Sequence, residues 1–141
     1  MLGDDGMVID DGVTSRLGEN HYAMTTTTGN AASVMSKLED WLQTEWPELK
    51  VYLTSVTEQF ATISINGPYA PGLMKKLCPN HDFSKDNFPH MSFQNIEIDG
   101  VHCRVMRISF TGEMCYEINV PSSYAKAVSY THLTLPTKRI V

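Results

Sequence analysis

The chain has 141 residues, 42% of them hydrophobic, the size and composition of one globular domain. Sixteen acidic side chains against eleven Lys and Arg leave a net charge of -5, and the basic residues gather only as Lys75-Lys76 and Lys138-Arg139, which excludes a cationic surface for nucleic acid or an anionic membrane. No apolar run reaches the length of a membrane span, and the start, with Asp4 and Asp5, lacks the basic and apolar regions of a signal peptide, so a cytoplasmic protein is expected.

In chain order, Met1 to Gly6 reads as a turn into a strand. A two-residue period from Val8 to Leu17 puts Ile9, Asp11, Val13, Ser15 and Leu17 on one face and Asp10, Thr14 and Arg16 on the other. Asp11 then sits on the apolar side, where a carboxylate must be hydrogen-bonded, paired or functional, while Asp10 points to solvent. The alternatives left open are an edge strand with a wet end and an Asp11 that binds backbone amides in a turn. Gly18-Glu19-Asn20 is a hairpin loop to a second strand, His21 to Thr28. Asn30 is placed to cap a helix whose apolar residues Val34, Met35, Leu38, Trp41, Leu42 and Trp46 recur at helical spacing before Pro47 ends it.

Val51 to Val56 and Phe60 to Ile65 read as two further strands joined at Thr57-Glu58-Gln59, and Pro68 opens a helix through Leu77 with Ala70, Leu73, Met74 and Leu77 inward. Cys78 to Pro89 is polar and turn-rich, a surface connection. Strands Met91 to Ile98 and Val101 to Phe110 follow, joined by Asp99-Gly100, a strong hairpin signal. After the turn Thr111-Gly112-Glu113, Tyr116, Ile118 and Val120 alternate with Glu117 and Asn119 in a half-buried strand, and Pro121-Ser122-Ser123 opens another helix with Ser122 or Ser123 as its cap. The fold class expected is α+β: helices packed on a mixed, largely antiparallel sheet. Cys78, Cys103 and Cys115 are odd in number and lack C-x-x-C spacing, so reduced thiols and no metal site are expected.

Three segments together resemble the folate-binding aminomethyltransferase family, whose type member is the T-protein of glycine cleavage: Gly6-Met7-Val8-Ile9-Asp10-Asp11, Ile65-Asn66-Gly67-Pro68-Tyr69-Ala70, and Arg107-Ile108-Ser109-Phe110-Thr111-Gly112-Glu113 with Tyr116-Glu117. Asp10 to Leu17, His21-Tyr22 with Thr25 to Ala32, and Trp41 to Pro47 are similar, more narrowly, to the alpha subunits of heterotetrameric sarcosine oxidases. The resemblance covers residues 1–127, which then read as an internal fragment, a partial folate-binding domain. Val128 to Thr137 looks like one reading frame of a sequencing adapter, so residues 128–141 are read as a non-native tail; a genuine strand with a basic end is the competing reading.

The resemblance implies an enzyme that oxidatively demethylates sarcosine at a flavin and passes the one-carbon unit to tetrahydrofolate, giving 5,10-methylenetetrahydrofolate. Its flavins and NAD would be bound outside this segment, the other oxidase subunits would be its partners, and the segment alone would be inactive. Transfer needs an anion near a developing cation and a base for the attacking nitrogen, in a site that excludes water. Asp11 is the catalytic candidate. Glu113 matches, on this resemblance, the position that holds the pterin ring, where a carboxylate accepts two parallel N–H bonds. Asp10, Asn30 and Tyr116 are the further cofactor-binding candidates, with a helix-cap role for Asn30 and a core role for Tyr116 as alternatives. Arg107 is expected to pair with Glu117. A T-protein-like aminomethyltransferase and a non-catalytic folate-binding or assembly module are the other functions considered.

Overall fold

A computed structural model describes residues 1–129. Two compact units divide the chain, Met1–Thr57 and the part from Glu58 onward. Among the described residues no helix is long and apolar enough to cross a membrane.

In the first unit, β1 (Thr14–Gly18) and β2 (His21–Met24) form the expected antiparallel hairpin, with Thr14 opposite Met24 and an irregularity between Arg16 and Gly18. Arg16 fixes the turn by donating from Nε to the Gly18 carbonyl (3.1 Å) and from Nη2 to that of Glu19 (3.0 Å). α1 (Ala31–Thr44) follows a single 3-10 turn, Thr28–Asn30. Its apolar stripe buries Val34 fully and Met35, Leu38, Trp41 and Leu42 in part, and Trp46 packs edge-on to Trp41 at 5.7 Å. Two expectations fail in this unit. Residues 8–13 are not a ladder strand; Val8 makes only an isolated bridge to Leu2. Val51 to Val56 forms no strand either: Tyr52 is 95% exposed, and β-propensity without a partner strand leaves the backbone solvated.

The second unit is a four-stranded antiparallel sheet in the order β3-β6-β5-β4, built from β3 (Phe60–Asn66), β4 (Ser92–Ile98), β5 (Val101–Arg107) and β6 (Cys115–Pro121). The β4–β5 hairpin turns on Asp99 and Gly100, both at positive φ (50° and 77°), as a two-residue primed turn requires. Ile65, Ile96, Ile98, Cys103, Val105, Tyr116, Ile118 and Val120 line one side of the sheet, and α2 (Ala70–Leu77) buries Ala70 and Met74 in the same core, with Leu73 and Leu77 packed against it. α2 begins two residues later than expected, with Pro71 rather than Pro68 in its first turn.

The connection after α2 is irregular but not confined to the surface. Phe83 and Phe88 drop into the core, where both rings meet Tyr116, at 5.7 and 5.6 Å between centroids. Burial raises all three thiols, Cys103 to about 11 with the Cys78 thiol beside it as the lesser cause. After β6 comes a 3-10 turn, Ser122–Tyr124, and then α3 (Ala125–Ala127); neither Ser122 nor Ser123 makes a side-chain cap. Of the tail read as non-native, Val128 and Ser129 fall among the described residues, and Val128, 1% exposed, is part of the core. The rest of that reading lies outside the described residues.

Candidate functional site

In the first unit the loop Ile9–Val13 is laced to the segment Thr25–Asn30 that leads into α1. The Thr25 amide donates to the Val13 carbonyl (2.9 Å), the Val13 amide to Thr25 Oγ1 (3.1 Å), and the Thr25 hydroxyl to the Val13 carbonyl (3.2 Å). Asn30 Nδ2 donates to the Ile9 carbonyl (3.1 Å). Asn30 does occupy the position before α1, but its side chain makes no cap bond; it is used to hold the loop.

The two aspartates exchange the roles that strand parity assigned. Asp10 is the buried one, 7% exposed, and its carboxylate accepts the Thr27 amide at 3.1 Å to Oδ2 and 3.4 Å to Oδ1. Asp11 is exposed, and its Oδ1 accepts the amide of the next residue, Gly12, at 2.9 Å. Parity fails because it holds only where the backbone runs in a ladder. Between residues 9 and 13 the amides of Gly12 and Val13 bond to side chains instead, so alternate residues no longer point to opposite faces.

In the second unit Glu113 lies exposed on the turn before β6, where Gly112 at φ 81° allows the reversal. The Gly67 amide donates to the Met114 carbonyl (2.8 Å) and ties that turn to the corner between β3 and α2. Tyr116 is wholly buried, and its hydroxyl has no hydrogen-bond partner among the described residues. Burial raises its pKa, and the positive charge of Arg107 opposes the rise. Arg107 does not pair with Glu117. Its Nη1 donates to the Phe88 carbonyl, which anchors the irregular connection to β5.

Glu117 is the carboxylate that sequence reasoning passed over. It stands mid-strand on the side of the sheet opposite Tyr116, across from Ser64 on β3 and Met106 on β5, and burial pushes its pKa up. On the same side Asn119 accepts the Thr62 hydroxyl at 2.9 Å. The signal available in sequence was its place between Tyr116 and Ile118 in an alternating strand.

Asp10, Asp11 and Asn30 thus come together in one braced loop pair, and Glu113, Tyr116 and Glu117 at the start of β6, in separate units. Tyr116 offers no face for stacking. Each unit by itself presents carboxylates able to accept N–H bonds, exposed Asp11 in the first and exposed Glu113 and half-buried Glu117 in the second. Among the described residues no three His, Cys, Asp or Glu side chains are grouped to hold a metal ion.

Residues 1–135 match the family model described as the GCVT N-terminal domain. The chain is 56% identical over 119 residues to the sarcosine oxidase subunit alpha of Corynebacterium sp. (strain P-1), covering 84% of this chain and 12% of that protein. It is 43% identical over 131 residues to the corresponding subunit of Rhizobium meliloti (strain 1021), covering 92% and 13%. With the aminomethyltransferase of Caldanaerobacter subterraneus subsp. tengcongensis it shares 31% identity over 125 residues, 89% of this chain and 32% of that protein. The chain therefore spans about an eighth of the oxidase subunits and a third of that transferase.

Proposed function

We propose, for a chain that belongs to the GCVT N-terminal domain family, that it supplies part of a tetrahydrofolate site in the alpha subunit of a cytoplasmic sarcosine oxidase. That enzyme would demethylate sarcosine oxidatively to glycine and direct the one-carbon unit into 5,10-methylenetetrahydrofolate, in company with the other oxidase subunits. The oxidase reading is preferred to a T-protein-like aminomethyltransferase because identity is 56% with the former and 31% with the latter. One observation carries the folate reading: Asp10 is committed to holding the Thr27 amide, which leaves the neighbouring Asp11 carboxylate presented outward on a fixed loop.

Tetrahydrofolate, when bound, supplies the nitrogen that accepts the one-carbon unit. In this reading Asp11 takes the proton from that nitrogen at its carboxylate and offsets positive charge on the incoming carbon. Asp10 and Asn30 position Asp11 by fixing Thr27 and the Ile9 carbonyl, and Tyr116 supports β6 from the core side. The second unit, taken by itself, offers two carboxylates for the N–H edge of a pterin. Glu117, half-buried, loses less hydrogen-bond strength to water than exposed Glu113 and is the stronger candidate.

The test uses a complete sarcosine oxidase whose alpha subunit carries this segment. With tetrahydrofolate present, sarcosine oxidation is expected to yield methylenetetrahydrofolate rather than formaldehyde. Glu117→Gln is expected to raise the KM for tetrahydrofolate about tenfold, the loss of roughly one charged hydrogen bond, and Glu113→Gln to raise it less. Formaldehyde as the sole one-carbon product would refute the reading.

A further inference from the structure

Asp11 is followed directly by a glycine, Gly12, and the carboxylate takes its direction from that residue's peptide, since Asp11 Oδ1 accepts the Gly12 amide at 2.9 Å. Glycine has the widest backbone freedom of any residue, so the loop by itself would let the carboxylate swing. Thr25 closes that freedom from two sides. Its carbonyl oxygen lies so near the Gly12 backbone that a Cβ there would sit 1.9 Å away, and its hydroxyl holds both polar groups of Val13. Oγ1 accepts the Val13 amide at 3.1 Å and donates to the Val13 carbonyl at 3.2 Å, beside the 2.9 Å bond from the Thr25 amide to the same carbonyl.

From this geometry we propose that Thr25 is a positioning residue for the Asp11 carboxylate, its hydroxyl fixing the peptide between Gly12 and Val13. The inference rests on the reading of Asp11 given above. Without the hydroxyl, Val13 keeps the single bond from the Thr25 amide, and a single bond leaves an axis about which the peptide turns. With it, the Val13 amide and carbonyl are both held and the turn is blocked. Asn30 and Thr27 hold the loop before Asp11, through the Ile9 carbonyl and the Asp10 carboxylate, and Thr25 holds it after. A displacement of about 1 Å at a group that must meet a reacting atom is enough to slow the step steeply. Thr25 opens a run of four threonines, and its neighbour Thr26 donates its hydroxyl to the adjacent Thr27 carbonyl at 3.2 Å. Position opposite Val13, not the residue type, distinguishes Thr25.

The test is made in a complete sarcosine oxidase whose alpha subunit carries this segment, with methylenetetrahydrofolate formation followed separately from sarcosine consumption. Thr25→Val keeps the side-chain shape and removes the hydroxyl. It is expected to lower kcat for methylenetetrahydrofolate about tenfold while the KM for tetrahydrofolate and the rate of sarcosine consumption stay within about twofold of the parent. Thr25→Ser restores the hydroxyl and should recover most of the lost rate, and Thr26→Val, the same change one residue on, should match the parent. Asp11→Asn measured beside them separates the two claims. If it forms methylenetetrahydrofolate undiminished, the reading of Asp11 fails and the inference with it; a loss in Asp11→Asn without one in Thr25→Val overturns the positioning role alone. A raised KM in place of a lowered kcat, no recovery with Thr25→Ser, an equal loss in Thr26→Val, or sarcosine consumption lost in step with transfer would also overturn that role.

Discussion

Replacing Gly12 with alanine is expected to destabilise the first unit by about 3 kcal/mol, at the upper end of the cost of overpacking. A Cβ built at Gly12 would lie 1.9 Å from the Thr25 carbonyl oxygen and 2.8 Å from its carbon, both backbone atoms with no rotamer to escape through. The loop would have to move away from Thr25, which breaks the bonds that Val13 and Thr25 exchange and pulls Asp10 from the Thr27 amide. Urea unfolding of Gly12→Ala beside the parent measures the loss. Gly72→Ala is the contrast: it lies inside α2 with nothing within 4 Å of its Cβ, so it is expected to stabilise by roughly 0.5–1 kcal/mol. Equal effects from the two substitutions would mean that the close approach at Gly12 is absent in solution.

Phe88→Ala is expected to cost about 4 kcal/mol, the range for deleting a buried aromatic ring. The ring is 0% exposed and touches Tyr116, Phe83 (6.1 Å) and His81 (6.4 Å), and the carbonyl of the same residue receives the Arg107 guanidinium. Its removal opens a cavity beside Tyr116 and loosens the backbone whose carbonyl receives buried Arg107. Phe110, 94% exposed, should tolerate alanine within about 0.5 kcal/mol. Calorimetric melting of the two variants separates them, and a Phe88→Ala loss below about 1 kcal/mol would show that the connection 78–90 is not part of the core.

Much of the fold was legible because the sequence states it locally. Asp99-Gly100 between alternating strands names its own turn, and the spacing of Ala70, Leu73, Met74 and Leu77 names the buried side of α2. What failed depended on partners distant in sequence. Val51 to Val56 has strand composition, but a strand needs a neighbour, and no local pattern supplies one. Phe83 and Phe88 sit among polar residues whose turns hide the fact that the two rings reach Tyr116, far along the chain.

The candidate site shows the same division. That two adjacent carboxylates in an otherwise apolar stretch need an explanation was visible from Met7 to Val13 alone. Which of them is buried was not, because the deciding bond comes from the Thr27 amide seventeen residues away. Asn30 was recognised by its position before α1, yet its side chain turns back to Ile9, a choice set by the loop packed there rather than by the helix. Glu113 stands on a turn and Glu117 in the strand that follows, and how far the strand buries Glu117 is set by its neighbours in the sheet.

The account stands or falls on the division of labour between Asp10 and Asp11, and the direct measurement is the pair Asp10→Asn and Asp11→Asn in the complete oxidase, with melting and methylenetetrahydrofolate formation followed separately from sarcosine consumption. Asp11→Asn should melt with the parent and still consume sarcosine while methylenetetrahydrofolate falls by about 100-fold, the scale of a lost general base. Asp10→Asn should lose about 1–3 kcal/mol of stability, since a neutral amide at this buried position is a poorer acceptor for the Thr27 N–H. Undiminished methylenetetrahydrofolate from Asp11→Asn would contradict the account.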